Sequence, residues 1–285
     1  MTSSRRRLYL AAYALLLIAC MWSLVAAGDL SLGRKPWENF ARTASELSRP
    51  SFVDLWFGNP ALEFKSDDGR VLRVENQQES EARFLKGLAR AVWDTLKIAT
   101  LGSLLAALMA VPFGIALARN MKAPRPVAIV AKFILDVCRS IHSLVFGLIF
   151  VGIVGLGPTA GILAIAVHSM GTYGKLYAEA IETMDQTLYE AGLAMGATPM
   201  QALTGALWPA VLPQWLSSHL YIWEYNVRDS TVLGLIGAGG LGLLVSEAVS
   251  LFQWGRLATI LIAIVAMVIA FDALSRRLRR DLLGR

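Results

Sequence analysis

The chain has 285 residues, of which 55% are apolar and 17% are charged. Most of it is therefore too apolar for a soluble domain, and the composition indicates an integral membrane protein. The formal net charge is +6, but the basic residues stand in short clusters beside apolar segments, which is typical of membrane topology rather than of nucleic-acid binding. Cys20 and Cys138 lie inside apolar segments and form neither a disulfide pattern nor a zinc motif.

The first apolar segment runs from Leu8 to Ala27, directly after three arginines at positions 5–7. It has the length of roughly 20 residues that a helix needs to cross the hydrocarbon layer. A cleaved signal peptide is the alternative, and residues 17–20 resemble a lipoprotein cleavage box. The apolar segment continues well past that box, so we expect an uncleaved anchor helix.

Residues 28–90 are polar and balanced in charge, and they predict a small extramembrane excursion. Within it, two short strand patterns at 62–65 and 70–74 flank the turn-forming sequence at 66–69, which predicts a hairpin. The mixed apolar and basic residues at 84–90 predict a helix that lies at the membrane interface.

Five further apolar segments meet the same length criterion, at 92–118, 129–156, 159–181, 206–226 and 257–274. The segment at 232–249 is also apolar but rich in glycine, which is typical of a broken or re-entrant helix. The predicted fold class is all-α, a polytopic membrane protein with about six transmembrane helices.

Basic residues at 119–125 and 276–285 fall on the same side of the predicted spans as the arginines at 5–7. Positive residues mark the cytoplasmic side of short loops. We therefore expect both termini and the loops 119–128 and 182–205 in the cytoplasm of a bacterial cell, with the chain crossing the inner membrane and residues 28–90 outside.

The loop 182–205 is unusual for the cytoplasmic side because it contains acidic residues and no Lys or Arg. Thr187 is spaced from Glu190 as in a capping box, so we expect Thr187 to cap a helix there. Gly196 and Pro199 then predict that this helix ends and a second one begins. The expected local structure is a helix-turn-helix.

This loop resembles the coupling motif of ABC importer permeases, which reads Glu-Ala-Ala, three residues, Gly. The corresponding residues are Glu190, Ala191, Gly192, Gly196, Ala197 and Thr198. The second half of the motif, Ile-x-Leu-Pro, corresponds to residues 206–209, with Ala206 and Trp208 departing from it, and Gly192 replaces the second alanine. The resemblance implies a lever that docks on a partner ATPase; the alternative is an ordinary connector with a helix cap.

A second resemblance, to the permeases of phosphonate-type ABC importers, lies in the long sequence 224–242, which contains Asn226, Arg228 and the glycine-rich segment. It extends to 155–158 and 174–182 and covers roughly residues 92–274. It implies the type I ABC importer permease fold and a phosphorus oxyanion such as phosphonate or phosphite as the substrate.

The same resemblance implies the partners. These are a second copy of the permease in a homodimer, two ATP-binding subunits that hold ATP and Mg, and an extracytoplasmic substrate-binding protein. Transport would proceed by alternating access, with no cofactor in this chain and no enzymatic activity of its own. Besides these proteins the chain would contact membrane lipid and no nucleic acid.

The expected domain organisation follows from these patterns. Residues 1–90 form the anchor helix and the extracytoplasmic excursion, and residues 91–275 form the permease core with the coupling loop. Residues 276–285 form a basic cytoplasmic tail.

Two short sequences partly match nucleotide-binding motifs. Residues 237–242 fit G-x-G-x-x-G, but that fingerprint requires a preceding strand and a soluble βαβ unit. Residues 171–176 lack the glycine and the hydroxyl residue of a P-loop. We therefore expect no ATPase in this chain and interpret these glycines as packing positions.

Polar and ionisable residues within spans are candidates for function because burying them in lipid is costly. Asp136, Arg139 and His142 follow one another at intervals of three residues, which predicts one helical face. The candidates for the substrate pathway are Arg139, His142, His168, Tyr173, Lys175, Glu224, Asn226 and Arg228. The two arginines suit an oxyanion, but Asp136 can neutralise Arg139, and Arg228 can pair with Asp229.

Three rival functions remain open at this point. A secondary anion transporter with its own ion coupling would show matched repeats, which are not found. An intramembrane enzyme would need a catalytic pair such as H-E-x-x-H, and the three histidines provide none. An ABC permease for a different small solute would share most of the same features.

Overall fold

The structure is a computed structural model of the 285-residue chain. It describes residues 3–27, 35–65, 71–121, 123–185, 187–202, 204–205 and 208–283.

The described residues form α-helices joined by short turns and one β-hairpin. The helices are α1 Ser3–Ala27, α2 Pro36–Leu47, α3 Asp54–Phe57, α4 Gln77–Leu117, α5 Arg125–Ser140, α6 Ser143–Val154, α7 Pro158–Thr183, α8 Thr187–Ala194, α9 Pro199–Ala202, α10 Trp208–Leu233, α11 Leu241–Ser250 and α12 Trp254–Leu283. The strands are β1 Leu62–Lys65 and β2 Val71–Glu75.

The chain divides into two compact units, Met1–Glu46 and Leu47–Arg285. The first unit contains α1, which confirms the predicted helix at 8–27, and nearly all of α2. Helix α2 has ion pairs on its surface, from Lys35 to Glu38 and from Arg42 to Glu46. Such exposed pairs add little stability, so α2 is a polar, solvated helix on that side.

In the second unit, the predicted hairpin follows α3. Strands β1 and β2 are antiparallel, with Leu62 opposite Glu75 and a register irregularity between Phe64 and Lys65. The strand prediction is confirmed, while the turn at 66–70 lies outside the described residues.

Helix α4 is a single helix of 41 residues. The Asn76 side chain caps it by accepting the backbone N–H of Glu79 at 3.2 Å. Residues 84–90 are helical, as predicted, and they form part of α4 rather than a helix of their own. Their apolar face is already used for packing, since Leu88 belongs to a buried cluster with Leu257 and Ile260 of α12.

The predicted span at 129–156 is two helices. Helix α5 ends at Ser140, α6 begins at Ser143, and the two are bent by 92°. His142 causes the new start, because its backbone is extended and its ring Nδ1 accepts the Leu144 N–H as an N-cap. The expectation that residues 136, 139 and 142 share one helical face is therefore wrong.

Helix α7 lies against α4 at positions where side chains are small. A Cβ atom on Gly102 would come within 2.8 Å of Ile165, and one on Gly114 would come within 2.8 Å of the Tyr177 Cβ. Glycine lets the two helices approach closely, as is common between membrane helices. A buried aromatic group completes this packing, with Tyr177 stacked on Trp215 of α10 at a centroid distance of 4.2 Å.

The glycine-rich segment after α10 is a broken helix, as the sequence predicts. A short 3-10 turn at Gly234–Ile236 is followed by left-handed backbone at Gly237, and α11 restarts at Leu241 with a bend of 43°. At the N-terminus of α11, the Leu241 N–H donates to the buried Thr95 hydroxyl at 2.9 Å. A preceding strand for a dinucleotide site is not found in the described residues.

In the part of the chain that the structure describes, three helices are long and apolar enough to cross a membrane: Tyr9–Ala27, Gln77–Leu117 and Trp254–Asp281. The total rises to five if each bent pair, α5 with α6 and α10 with α11, is one span. The predicted span at 159–181 is helical, but its mean hydropathy is lower than that of these three helices, because His168, Lys175 and Glu179 lie on it. At Lys175 an ion pair with Asp136 offsets part of the cost of a charge in such a helix.

Candidate coupling segment and substrate pathway

The connection between α7 and α10 is a helix-turn-helix, as predicted. Helix α8 ends in a Schellman motif centred on Gly196, whose φ is +89°. The Gly196 N–H donates to the Leu193 carbonyl at 3.0 Å, and the Ala197 N–H donates to the Gly192 carbonyl at 3.1 Å. Glycine is favoured at position 196 because residues with a Cβ atom are strained in this left-handed backbone.

The capping box of this segment lies at the second helix. The Thr198 N–H donates to Gln201 Oε1 at 2.9 Å, and the Thr198 hydroxyl accepts the Gln201 N–H at 3.3 Å. The prediction of a box from Thr187 to Glu190 is wrong, because the Thr187 hydroxyl donates to Asp185 instead. These bonds from Thr187 hold the pKa of Asp185 below its usual range, so the carboxylate is charged at neutral pH.

The end of α8 and the turn after it expose apolar side chains close to the acidic Glu190. Met195 is 83% exposed and Leu193 is 37% exposed, while Glu190 and Ala191 are also exposed. Gly192 faces α9, where a Cβ atom would lie at an ordinary contact distance of 3.4 Å from Ala202. An exposed apolar surface on a connecting segment is typical of a docking site for another protein.

The bend between α5 and α6 gathers three of the predicted pathway residues. Arg139 lies in the last turn of α5 and is exposed, and it has no ion pair with any described residue. The rings of His142 and His168 are 5.9 Å apart. Because the Nδ1 atom of neutral His142 accepts a hydrogen bond, its Nε2 carries the proton and is a donor. The bend therefore presents donors from Arg139 and His142.

Two other predicted pathway residues are buried in polar contacts inside the helix bundle. Asn226 is fully buried; its Nδ2 donates to the Ser103 hydroxyl at 2.8 Å and its Oδ1 accepts from Ser169 at 3.0 Å. The Tyr173 hydroxyl, also buried, lies 3.0 Å from His219 Nδ1. In this conformation these groups join α4, α7 and α10 to one another.

The remaining charged candidates are ion-paired. Arg228 Nη2 lies 2.7 Å from Glu224 Oε1 and 3.2 Å from Asp272 Oδ1, and Arg279 Nη2 lies 3.3 Å from Glu224 Oε2. Lys175 pairs with Asp136, which therefore does not pair with Arg139. The predicted alternative partner of Arg228, Asp229, forms no ion pair with it.

The segments of the second resemblance come together in the structure. The Gly157 N–H donates to the Gly237 carbonyl at 3.0 Å. A Cβ atom on Gly239 would lie 3.5 Å from the ring of Pro158. A side chain at Gly240 would meet the Thr95 hydroxyl at 2.5 Å. These glycines thus serve close backbone packing.

Comparison with known proteins decides the family. Residues 110–283, more than half of the chain, match the family described as binding-protein-dependent transport system inner membrane component. The chain belongs to this family of transport permeases. It is 43% identical over 192 residues to the phosphite transport system permease protein PtxC of Stutzerimonas stutzeri, a match covering 67% of this chain and 70% of that protein.

Two further relatives extend the comparison. The permease is 36% identical over 190 residues to the phosphate-import permease protein PhnE of Mycolicibacterium smegmatis, covering 67% of this chain and 36% of that protein. The inward-facing structure of the MetNI methionine ABC transporter matches with a TM-score of 0.62 at 24% identity, covering 70% of this chain and 98% of that chain. The fold is that of an ABC transporter permease.

These matches confirm the predicted class of protein. The permease is a transport component of the inner membrane and not an enzyme, and its family implies partner ATPase and substrate-binding subunits. Sequence patterns missed several residues that organise the permease, namely Ser103, Ser169, His219, Asp272 and Arg279. The hydroxyls lie in apolar helices, where an isolated serine carries little signal until its partner is known.

Proposed function

We propose that this permease moves a phosphorus oxyanion, phosphite first of all, into the cytoplasm. The observation that carries this proposal is the 43% identity to a phosphite permease over most of both chains. The anion class is also supported by a relative named for phosphate import. Phosphite, phosphonates and phosphate share the tetrahedral oxyanion that guanidinium groups bind.

The geometry of the α5–α6 bend supports an anion path. Arg139 is an exposed cation without an ion pair among the described residues, and the His142 Nε2–H is a donor nearby in sequence. Arg228 and Lys175 are compensated by carboxylates, so Arg139 is the better candidate for a transient contact with the substrate. His168 has its Nδ1 engaged by the Ile141 carbonyl at 2.8 Å, which fixes the ring beside the bend.

The segment Glu190–Thr198 is the proposed coupling lever. Two features support it: its rigid turn, closed by the bonds at Gly196 and Thr198, and its exposed apolar side chains at Leu193 and Met195. A rigid segment transmits a displacement from a docked ATPase without deforming. The segment has Gly192 where the motif has alanine. A Cβ atom there would lie at an ordinary distance of 3.4 Å from Ala202, so the packing accepts either residue.

The proposed assembly follows from one lever per chain. Two permease copies form a homodimer, two ATPase subunits with ATP and Mg dock on the levers, and an extracytoplasmic protein delivers the anion. Both chain termini and the lever are placed in the cytoplasm, as the distribution of basic residues favours. ATP-driven closure of the ATPases then switches the path between its two open sides.

The proposal is tested by measuring uptake of labelled phosphite, methylphosphonate and phosphate in proteoliposomes that contain the complete transporter. We expect ATP-dependent phosphite uptake that unlabelled phosphate displaces poorly. Uptake of an unrelated solute such as an amino acid, without any phosphorus anion, would favour the alternative of a permease for a different small solute.

Arg139→Gln tests the path itself, with Arg125→Gln at the exposed start of the same helix as the matched control. Loss of one charge-assisted contact is expected to lower uptake by about tenfold or more, while the ATPase activity stimulated by the binding protein persists. Equal uptake in both variants and the wild type would remove Arg139 from the path.

A further inference from the structure

Helix α2 separates its apolar residues from its polar ones. Trp37, Phe40, Ala41 and Ala44 follow one another at the spacing i, i+3, i+4 and i+7, which places their side chains on one side of a helix. The positions between them carry polar or charged residues. The helix is therefore amphipathic, with one face suited to an apolar environment and the other to water.

The aromatic side chains of the apolar face are left uncovered by the described part of the chain. None of the twelve residues of α2 is buried. Trp37 is 80% exposed and Phe40 is 67% exposed. A row of apolar side chains that is open along a helix marks an interaction surface, and its partner has to be apolar as well.

The polar face carries ion pairs that balance in charge. Lys35, just before the helix, pairs with Glu38, and Arg42 pairs with Glu46. Two positive and two negative charges cancel, whereas a helix that is attracted to anionic lipids has an excess of Lys and Arg. The attraction of α2 to its partner therefore comes from the apolar face.

The position of α2 in the chain brings one large apolar environment within reach. Helix α1 ends at Ala27, and its apolar stretch Tyr9–Ala27 is long enough to cross a membrane and exposed along its whole length. Residues 28–34 connect it to Lys35, and eight steps of extended chain span at most about 29 Å. The bilayer surface from which α1 emerges is thus always close to α2.

The length of α2 determines how it can meet this surface. Twelve residues of α-helix rise about 18 Å, which is too short for a hydrocarbon core of about 30 Å. A short amphipathic helix lies instead in the plane of the interface, with its apolar face towards the acyl chains. Tryptophan, as at position 37, is enriched at this depth of the bilayer.

We propose that α2 is an interfacial helix that binds the lipid surface beside α1. Trp37 and Phe40 insert between lipid molecules, and the ion pairs of the polar face stay in water. Apolar contact supplies the attraction, so zwitterionic lipid is sufficient. The helix holds the start of the extramembrane region at the membrane, and the identity of the transported anion has no bearing on this contact.

Nitroxide labels on the full-length permease test this orientation. One label is attached at Ala44→Cys, in the apolar face, and another at Arg42→Cys, in the polar face, after Cys20→Ala and Cys138→Ala remove the native thiols. In phosphatidylcholine nanodiscs, relaxation of the label by oxygen, which concentrates in lipid, is compared with relaxation by a water-soluble nickel chelate. We expect the ratio of oxygen to nickel relaxation to be about tenfold higher at 44 than at 42.

The same labels distinguish lipid from the other environments. Nanodiscs that also contain phosphatidylglycerol are expected to give an unchanged ratio, because the charges of the polar face cancel. Equal access of nickel chelate to both labels would place α2 in water and overturn the proposal. Protection of the label at 44 from both reagents would overturn it in favour of a protein partner, such as a second copy of the chain.

Substitution of Phe40 tests the source of the attraction. Phe40→Asp places a charge in the apolar face and is expected to lower the relaxation ratio at 44 by about tenfold. Glu38→Gln, in the polar face, is the matched control and is expected to leave the ratio unchanged. Both variants are compared at the wild-type elution volume in size-exclusion chromatography. An unchanged ratio in Phe40→Asp would overturn the assignment of this face to lipid.

Discussion

The side chain of Asn226 donates to the hydroxyl of Ser103 at 2.8 Å, deep in the permease and 123 residues away in sequence. Asn226 also accepts from Ser169, so one amide joins α10 to both α4 and α7. Because all three side chains are buried, the pairing orders helices in a region where water cannot compete for these groups.

Asn226→Ala is expected to lower the free energy of unfolding by about 1–2 kcal/mol, because it leaves two buried hydroxyls with fewer partners. Ser103→Ala is expected to cost less, and the double variant to cost less than the sum of both. The midpoint of thermal unfolding in detergent measures the loss of stability in each variant. The exposed Ser250→Ala serves as control, and purely additive losses would contradict a direct Asn226–Ser103 contact.

Gly196→Ala and Gly192→Ala make the same chemical change at two positions of the lever. Alanine at 196 has to adopt φ +89°, which costs roughly 1–2 kcal/mol, whereas alanine at 192 meets Ala202 at an ordinary distance. We expect co-purification with the ATPase to weaken about 5- to 30-fold for Gly196→Ala only. Equal association of the two variants would argue against a rigid lever.

Arg228→Gln is expected to act on stability more than on substrate recognition. Its guanidinium is paired with Glu224 and Asp272, and half of the side chain is exposed, so the loss is about 0.5–1 kcal/mol. A double-mutant cycle with Asp272→Asn, followed by thermal unfolding, measures the coupling. If uptake of the anion falls in Arg228→Gln while the unfolding midpoint stays unchanged, the ion pair is not its main role.

Glu81→Gln weakens the link between the starts of α4 and α12. Arg256 donates to Glu81 Oε1 through Nε at 3.0 Å and through Nη2 at 2.9 Å, and it also bonds Ser80 and Gln253. Because Glu81 is buried, we expect a loss of about 1–3 kcal/mol in unfolding experiments. Glu79→Gln, at the exposed first turn of α4, is the control, and an equal effect of both changes would contradict this contact.

Local sequence patterns predicted those features that depend on neighbouring residues. The hairpin at 62–75, the helix break at Gly196 and Pro199, and the broken helix after α10 all follow from turn residues and glycines. The family also followed from residues 224–242, whose glycines the structure places against Thr95 and residues 157–158.

Features that hydropathy does not register, and features that depend on distant contacts, escaped prediction. The bend between α5 and α6 is set by the cap that His142 provides, and hydropathy does not register a cap inside an apolar segment. The pairing of Lys175 with Asp136 leaves Arg139 without an ion pair among the described residues, a result that spacing along one helix cannot give. Residues 84–90 continue α4 because α12 covers their apolar face.

The central claim, that this chain is the permease of an ATP-driven importer of a phosphorus oxyanion, is tested most directly in proteoliposomes. Permease, ATPase and binding protein are reconstituted together, and phosphite uptake is measured with ATP, without ATP, and with an imposed proton or sodium gradient alone. We predict uptake only with ATP and its loss when the ATPase is left out. Uptake driven by an ion gradient without ATP would contradict the claim and indicate a secondary transporter.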